Sequence, residues 1–131
     1  MICIEGENFR DQRGELRFLN GFDMSRVRRM YSILPAPGVV RAWQGHRIET
    51  KWFYAVRGSF RVRTADIDLK APPQELILSE KQIRVLEIPS GHYNGFEALE
   101  PDSLLMVFSD LTLEESRADD HRLDLAALPW R

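Results

Sequence analysis

The chain consists of short apolar runs separated by clusters of glycine, proline, aspartate and asparagine. Runs of this kind, bounded by turn residues, are typical of β-strands. They are rich in Val, Ile, Phe, Tyr and Trp, the residues that favour a pleated sheet. The pattern predicts strands in these runs: Leu16–Leu19, Val27–Leu34, Val39–Trp43, Lys51–Val56, Ser59–Thr64, Glu75–Leu78, Ile83–Ile88, Tyr93–Ala98 and Ser103–Ser109.

Few segments carry apolar residues at the helical spacing of three and four positions. The best helical candidate is Leu113–Asp120, where Thr112 would be the N-cap and Glu115, three residues on, would complete a capping box. The sequence therefore predicts an all-β fold, a jelly-roll β-sandwich or barrel with a short helical or irregular C-terminal tail.

One predicted strand, Lys51–Val56, has apolar residues on both of its faces. Trp52 and Tyr54 point one way, whereas Phe53 and Ala55 point the other. This pattern favours a central strand with one face in the core and the other covered, either by a second subunit or by the chain itself.

Composition restricts the class of protein. The 131 residues carry a formal net charge of -2, so nucleic acid is not expected as the main partner. The only cysteine is Cys3, which excludes an intramolecular disulfide. No apolar run approaches the ~18 residues of a membrane span, and the N-terminus does not resemble a secretory signal. We expect one domain, residues 1–131, located in the cytoplasm and without membrane contact.

The stretch RAWQGHRIETKWF, residues 41–53, contains the densest group of chemically active side chains. His46 is accompanied there by Arg41, Gln44, Glu49 and Lys51. From the residues alone, three interpretations are open: a metal site, an acid–base site, or a strand with a polar edge.

Several stretches resemble one family. RAWQGHRIETKWFYAVRGSF (41–60) resembles the first conserved stretch of the cupin superfamily, and IPSGHYNGF (88–96) resembles the second. DQRGEL (11–16), RVRRMYSI (26–33), PDSLLMVFSD (101–110) and DDHR (119–122) are similar to segments of the nucleotide-sugar cupins. These are the dTDP-4-dehydrorhamnose 3,5-epimerases and the WxcM-like dTDP-sugar 3,4-ketoisomerases. The resemblance implies an RmlC-like cupin jelly roll.

The resemblance also bears on the metal question. The four ligand positions of metal-binding cupins fall on Gln44, His46, Lys51 and Asn94 of this chain. Transition metals need several imidazole, thiolate or carboxylate donors, and only His46 supplies one. We therefore expect neither a metal nor another cofactor.

The resemblance implies a reaction and a role for each candidate residue. The reaction is proton abstraction beside the keto group of a 6-deoxyhexose carried on a nucleotide diphosphate. His46 would be the single base, because histidine changes charge near neutral pH, and Gln44 replaces the first histidine of the family's pair. The resemblance implies that Lys51 holds the keto or enolate oxygen and that Tyr54 and Asn94 orient a hydroxyl. Arg13 and Arg41 would contact phosphates, and in the epimerases one of these arginines comes from the other subunit. His92 or Tyr93 would donate a proton.

The expected function is a metal-independent sugar-nucleotide isomerase of the 3,4-ketoisomerase type, forming a homodimer and serving deoxysugar synthesis for surface polysaccharide. Two alternatives are a non-catalytic cupin that binds a sugar nucleotide and a 3,5-epimerase-like enzyme. A third is a structural or regulatory domain whose pocket is filled by aromatic side chains.

Plain structural interpretations compete with these roles. His46 would then be a structural histidine, Lys51 and Glu49 a surface salt bridge, and the segment EESRADD (114–120) a solvated surface. Arginines 26, 28 and 29 would be a solvated strand edge. Trp43, Trp52 and Phe60 are expected in the core or in a subunit interface.

Overall fold

The computed structural model describes residues 1–131, which form twelve strands and one short helix. The strands are β1 (Ile2–Glu5), β2 (Glu7–Asp11), β3 (Gly14–Phe18), β4 (Arg29–Ile33), β5 (Arg41–His46), β6 (Lys51–Arg57), β7 (Ser59–Asp66), β8 (Gln74–Ser79), β9 (Arg84–Ile88), β10 (His92–Ala98), β11 (Leu104–Ser109) and β12 (His121–Arg122). The helix α1 spans Leu113–Arg117, and no helix is long and apolar enough to cross a membrane.

The strands form two five-stranded antiparallel sheets and one hairpin. The first sheet has the order β1-β9-β6-β11-β4, and the second has the order β12-β5-β10-β7-β8. Strands β2 and β3 pair only with each other. The all-β jelly-roll prediction is therefore confirmed.

The core consists of the inward-facing residues of the two sheets. Eleven buried apolar side chains form one cluster, because alternate residues of each strand point to the same face. The first sheet contributes Phe53, Ala55, Leu86, Ile88, Leu105 and Val107, and the second contributes Phe60, Val62, Leu78, Phe96 and Ala98.

The inward faces become polar towards one end of the barrel. In the first sheet, Ser109 lies opposite Lys51 on one side and Arg29 on the other. In the second sheet, Asn94 lies opposite Gln44 and Thr64. Since both sheets carry polar residues at this end, the apolar core gives way there to a polar site.

The helix carries the predicted capping box. The Thr112 hydroxyl accepts the Glu115 N–H, and the Glu115 carboxylate accepts the Thr112 N–H. The helix ends at Arg117 instead of Asp120, since the following residues leave it to hydrogen-bond to β5 and to the turn after it.

The sequence pattern missed the strands β1 and β2. Strand β2 has almost no buried side chain, so it lacks the apolar alternation on which the prediction relied. Trp43, Trp52 and Phe60 are buried, as expected for core residues.

Candidate functional site

A pocket of about 430 Å³ lies between β4 of the first sheet and β5 of the second. We call it the barrel pocket. Its lining combines apolar side chains with charged and amide side chains. The lining residues are Tyr31, Ile33, Val40, Arg41, Ala42, Trp43, Gln44, Lys51, Phe53, Asn94, Phe96, Val107 and Arg122.

Lys51 forms the polar floor of the barrel pocket. It is 3% exposed, and its Nζ donates a 3.1 Å hydrogen bond to Gln44 Oε1. Glu49 Oε2 lies 3.7 Å from the same nitrogen. Burial lowers the pKa of Lys51 to about 8, although the Glu49 carboxylate acts in the opposite direction. The ammonium can therefore lose its proton close to neutral pH.

Glu49 lies behind Lys51 and is only 1% exposed. Besides Lys51, its carboxylate faces an Arg29 guanidinium nitrogen at 3.5 Å and His46 Nδ1 at 3.9 Å. Its Oε1 is buried without a hydrogen-bond partner. A surface salt bridge between Lys51 and Glu49 was therefore the wrong expectation, because the chain turns inward after β5 and encloses both groups.

The inward turn is held by Asp119, which follows α1. Its carboxylate accepts the backbone N–H groups of Arg47, Ile48 and Glu49, each at 2.9 Å. Burial tends to raise the pKa of Asp119, but these three hydrogen bonds outweigh burial, and the pKa lies below its usual value. The segment EESRADD is thus not only solvated surface, because Asp119 is buried and shapes the site.

His46 is buried beside this turn. Its Nδ1 donates a 2.7 Å hydrogen bond to the Asp119 carbonyl, which fixes the tautomer, since a carbonyl only accepts. Its Nε2 is buried without a partner, and the residue does not line the barrel pocket. Burial, reinforced by the Lys51 charge, lowers the pKa of His46. The imidazole is therefore neutral near pH 7, and its role as the base stays a prediction.

Two amide side chains connect the strands at the floor. Gln44 accepts from Lys51 and donates to Asp120 Oδ1 at 3.2 Å. Asn94 Nδ2 donates to the Gln44 carbonyl at 3.2 Å. Gln44, which the resemblance aligns with a histidine of the family, is already engaged on both of its polar atoms.

Two arginines stand where the barrel pocket opens to solvent. Arg41 is exposed, its guanidinium lies 6.0 Å from the Phe96 ring, and no carboxylate lies within 4.0 Å of it. Arg122, on β12, is paired with Asp120 at 2.9 Å. The sequence did not single out Arg122, although it lies in the DDHR segment that resembles the family.

Tyr54 is not part of the barrel pocket, contrary to expectation. Lys51 and Phe53 of β6 point inward and line the pocket. Tyr54 alternates with them and therefore lies on the outer face of its sheet. Tyr93 is also excluded, because its ring packs against Gly45 on the outer face of the second sheet.

His92 and Arg13 also lie outside the barrel pocket. His92 Nε2 faces Asp66 Oδ1 at 3.2 Å, and its Nδ1 lies 3.1 Å from the Pro89 carbonyl. Arg13 is at the tip of the β2–β3 hairpin, where its side chain is 81% exposed and bound to Asp11. The chain alone therefore brings together Arg41, Gln44, Lys51 and Asn94 of the predicted site residues.

No group of three or more His, Cys, Asp or Glu side chains is arranged to hold a metal ion. Arg29 was expected at a solvated edge, but its guanidinium points inward to Glu49 and to the Ser116 hydroxyl at 3.0 Å. Sequence reasoning gave Arg29 and Asp119 no role in the site, since their contacts join positions far apart in the chain. Glu49 was noted in the stretch around His46, but its burial beside Lys51 was not expected.

The two facing sheets with a polar pocket between them define a cupin-type jelly roll, and solved structures share this fold. A dTDP-sugar isomerase from Desulfovibrio desulfuricans superposes with a TM-score of 0.84 at 21% identity, over 99% of this chain and 88% of that one. A dTDP-4-dehydrorhamnose 3,5-epimerase from Sulfolobus tokodaii gives 0.78 at 24% identity, covering 98% and 79%. A 3,4-ketoisomerase from Thermoanaerobacterium thermosaccharolyticum, in complex with TDP, gives 0.74 at 18% identity, covering 93% and 86%.

The family model described as FdtA, WxcM-like, C-terminal, matches residues 2–122. The chain therefore belongs to the WxcM-like C-terminal family, and the resemblance seen in the sequence is confirmed. No curated protein matches the chain in sequence.

Proposed function

We propose that this protein is an isomerase acting on a nucleotide-linked 4-keto-6-deoxyhexose, that it moves the keto group from C4 to C3, and that it serves deoxysugar synthesis for surface polysaccharide. One observation carries the proposal: the barrel pocket has arginines at its mouth, and at its floor the buried Lys51 and Asn94 together with the half-buried Gln44. Its volume of about 430 Å³ lies within the usual range of small-molecule sites.

The two ends of the barrel pocket suit the two ends of such a substrate. The planar guanidinium of Arg41 has no carboxylate partner and matches the geometry of a phosphate. Arg122 adds a second cation at the mouth. The thymidine diphosphate carried by the similar ketoisomerase supports a dTDP-linked ligand here.

The floor of the pocket suits the keto end. The Lys51 ammonium and the Asn94 amide are donors in a largely water-excluded space, where they stabilise a developing enolate oxygen strongly. Phe53, Phe96 and Val107 form the apolar wall against the deoxysugar ring.

The test uses dTDP-4-keto-6-deoxyglucose in D2O, followed by NMR. Appearance of the 3-keto isomer, with or without deuterium at C4, supports the ketoisomerase, because C3 of that product is the carbonyl carbon. Deuterium at both C3 and C5 with inverted centres supports a 3,5-epimerase instead. If dTDP binds in calorimetry but neither a new product nor exchange is seen, the proposed enzymatic function is wrong. If dTDP does not bind at all, the proposed sugar-nucleotide ligand is wrong.

A non-catalytic binding module is the second candidate, and Gln44 favours it. The family's first histidine is absent at this position, and both polar atoms of the Gln44 amide are already bonded to Lys51 and Asp120. This candidate predicts dTDP affinity together with a complete lack of product.

We also propose that the protein works as a homodimer in which the β2–β3 hairpin contacts the second copy. Phe9 and Leu16 are cross-strand partners on this hairpin and are 56% and 61% exposed. A partner would bury this pair and would let Arg13 reach the neighbouring pocket, as the resemblance implies. Sedimentation of wild type and of Phe9→Ser/Leu16→Ser tests this, with a monomeric wild type overturning it.

A further inference from the structure

We propose that Lys51 is the group that removes and returns the proton of the sugar carbon, and that Glu49 is its positioning residue. This inference rests on the proposed isomerase function and assigns its base. It replaces the expectation that His46 acts directly on the substrate.

The lining of the barrel pocket contains only four titratable side chains: Tyr31, Arg41, Lys51 and Arg122. Arginine does not lose its proton in proteins. Burial raises the pKa of Tyr31, which makes its phenolate inaccessible near neutrality. The pKa of Lys51 is lowered to about 8, so roughly a quarter of the side chain is a neutral amine at pH 7.5. Among the groups that contact the pocket, Lys51 alone can accept a proton.

His46 is placed differently. A general base must come within about 2.6–3.2 Å of the proton it removes. The Nδ1 of His46 is committed to the Asp119 carbonyl, and its Nε2 has no accessible surface. His46 therefore lies beside the site without a hydrogen bond to it, with its Nδ1 3.9 Å from Glu49 Oε1.

Glu49 is suited to hold Lys51 in place. Its two oxygens face Lys51 and Arg29 on one side and His46 on the other. The anion stabilises the protonated lysine, which keeps the pKa from falling further. The ionisable groups around Lys51 are Arg29 and Tyr31 on β4, His46 on β5, Glu49 in the following turn, Asp119 and Asp120 after α1, and Arg122 on β12.

The proton transfer needs only the substrate and the Lys51 amine. Neutral Lys51 takes the proton from C3, the C3–H electron pair forms the C3=C4 bond, and the C4 carbonyl pair moves onto O4. The O3 hydroxyl proton then passes to O4, the C3–O3 bond becomes the carbonyl, and the Lys51 ammonium returns a proton to C4. Lys51 Nζ is a neutral amine both before and after the reaction, and no oxidant or reductant is needed.

The first test measures the amine directly. The chain has three lysines, Lys51, Lys70 and Lys81, so protein labelled with ¹³C at lysine Cε gives three signals, assigned with Lys51→Arg. We expect Lys51 to titrate near pH 8. In Glu49→Gln the Lys51 titration moves to lower pH. A Lys51 signal that titrates near the model-peptide lysine value of about 10.4 overturns the inference.

The second test measures turnover. Lys51→Arg keeps the charge but cannot become neutral, so product formation should fall by about 10²–10⁴-fold while dTDP affinity changes only a few-fold. Lys51→Gln, checked by its thermal melting, should show the same loss. His46→Asn should lose less than about tenfold, and the Glu49→Gln pH–rate profile should rise at lower pH than wild type, as the lysine titration does.

The outcomes separate the two proposals. If the wild type is active and Lys51→Arg is equally active, Lys51 is not the base, whereas the proposed isomerase function still holds. If only His46→Asn loses activity, His46 is the base and Lys51 is not. A wild type that binds dTDP but forms no product overturns the isomerase and, with it, any base.

Discussion

His46 and Asp119, 73 residues apart in the chain, are joined by a 2.7 Å hydrogen bond from the imidazole to the main-chain carbonyl. The same aspartate holds the turn after β5 through three backbone N–H groups. The segment that follows α1 therefore fixes the turn carrying Glu49, and Glu49 in turn faces Lys51. Residues far from the pocket in sequence thus determine the position of its floor.

Replacing Asp119 by Asn should destabilise the protein. The amide offers one oxygen in place of two, and its NH2 group opposes the buried N–H groups of the turn. We expect the free energy of unfolding to fall by about 1–3 kcal/mol in equilibrium urea denaturation. Asp124→Asn, on an exposed side chain of the same tail, should change it by less than about 0.5 kcal/mol. Equal effects of the two substitutions would contradict the role given to Asp119.

Much of the pocket could be predicted because its residues follow local patterns. The apolar runs marked most of the strands, and Thr112 and Glu115 form the capping box expected from their spacing. Lys51 and Asn94 line the barrel pocket, whereas the roles that the resemblance implied for them stay predictions. Tyr54 was expected to face the site together with Asn94. It alternates along β6 with Lys51 and Phe53, so its side chain lies on the opposite face of the sheet.

The parts that could not be predicted depend on contacts between distant segments. Nothing in the residues near Glu49 indicates that Asp119 turns it inward, so the carboxylate looked like a surface partner of Lys51. Strand β1 pairs with β9, which lies 79 to 85 residues later, and its short run gave no signal alone. Such pairings are set by the closure of the barrel and not by local sequence.

The burial of His46 should make stability depend on pH. The pKa of His46 in the folded protein lies below the ordinary value of 6.5. As the pH falls below 6.5, the unfolded chain therefore binds more protons than the folded protein. The contribution of His46 is therefore complete above pH 6.5 and is lost as the pH falls below it. We expect the free energy of unfolding, measured by urea denaturation between pH 5 and 7, to rise with pH more steeply in wild type than in His46→Gln. Parallel curves would contradict a lowered pKa.

Gly95 has no room for a side chain. A Cβ there would lie 2.5 Å from the Ala42 Cβ and 2.8 Å from the Trp130 ring, which packs against Trp43. Gly95→Ala should therefore lower the free energy of unfolding by about 1–3 kcal/mol, as overpacking does. The matched control is Gly21→Ala, whose Cβ would meet only Ile4 at 3.8 Å. We expect the control to be neutral or slightly stabilising, and a similar loss in both variants would contradict tight packing at Gly95.

The free guanidinium of Arg41 leads to a prediction about nucleotide binding. If Arg41 holds the diphosphate, Arg41→Gln should raise the Kd for dTDP by about tenfold, equivalent to roughly 1.4 kcal/mol. The affinity should also depend less on salt concentration, because one exposed ionic contact is lost. Titration calorimetry at two salt concentrations measures both effects.

The matched control for Arg41 is Arg28→Gln, which removes the same charge from an exposed position that does not line the barrel pocket. Because the net charge changes equally, long-range attraction is the same in both variants, and only direct contact separates them. We expect Arg28→Gln to change the Kd less than about twofold. If both variants weaken dTDP binding equally, Arg41 acts through the overall charge of the protein and does not bind the phosphates.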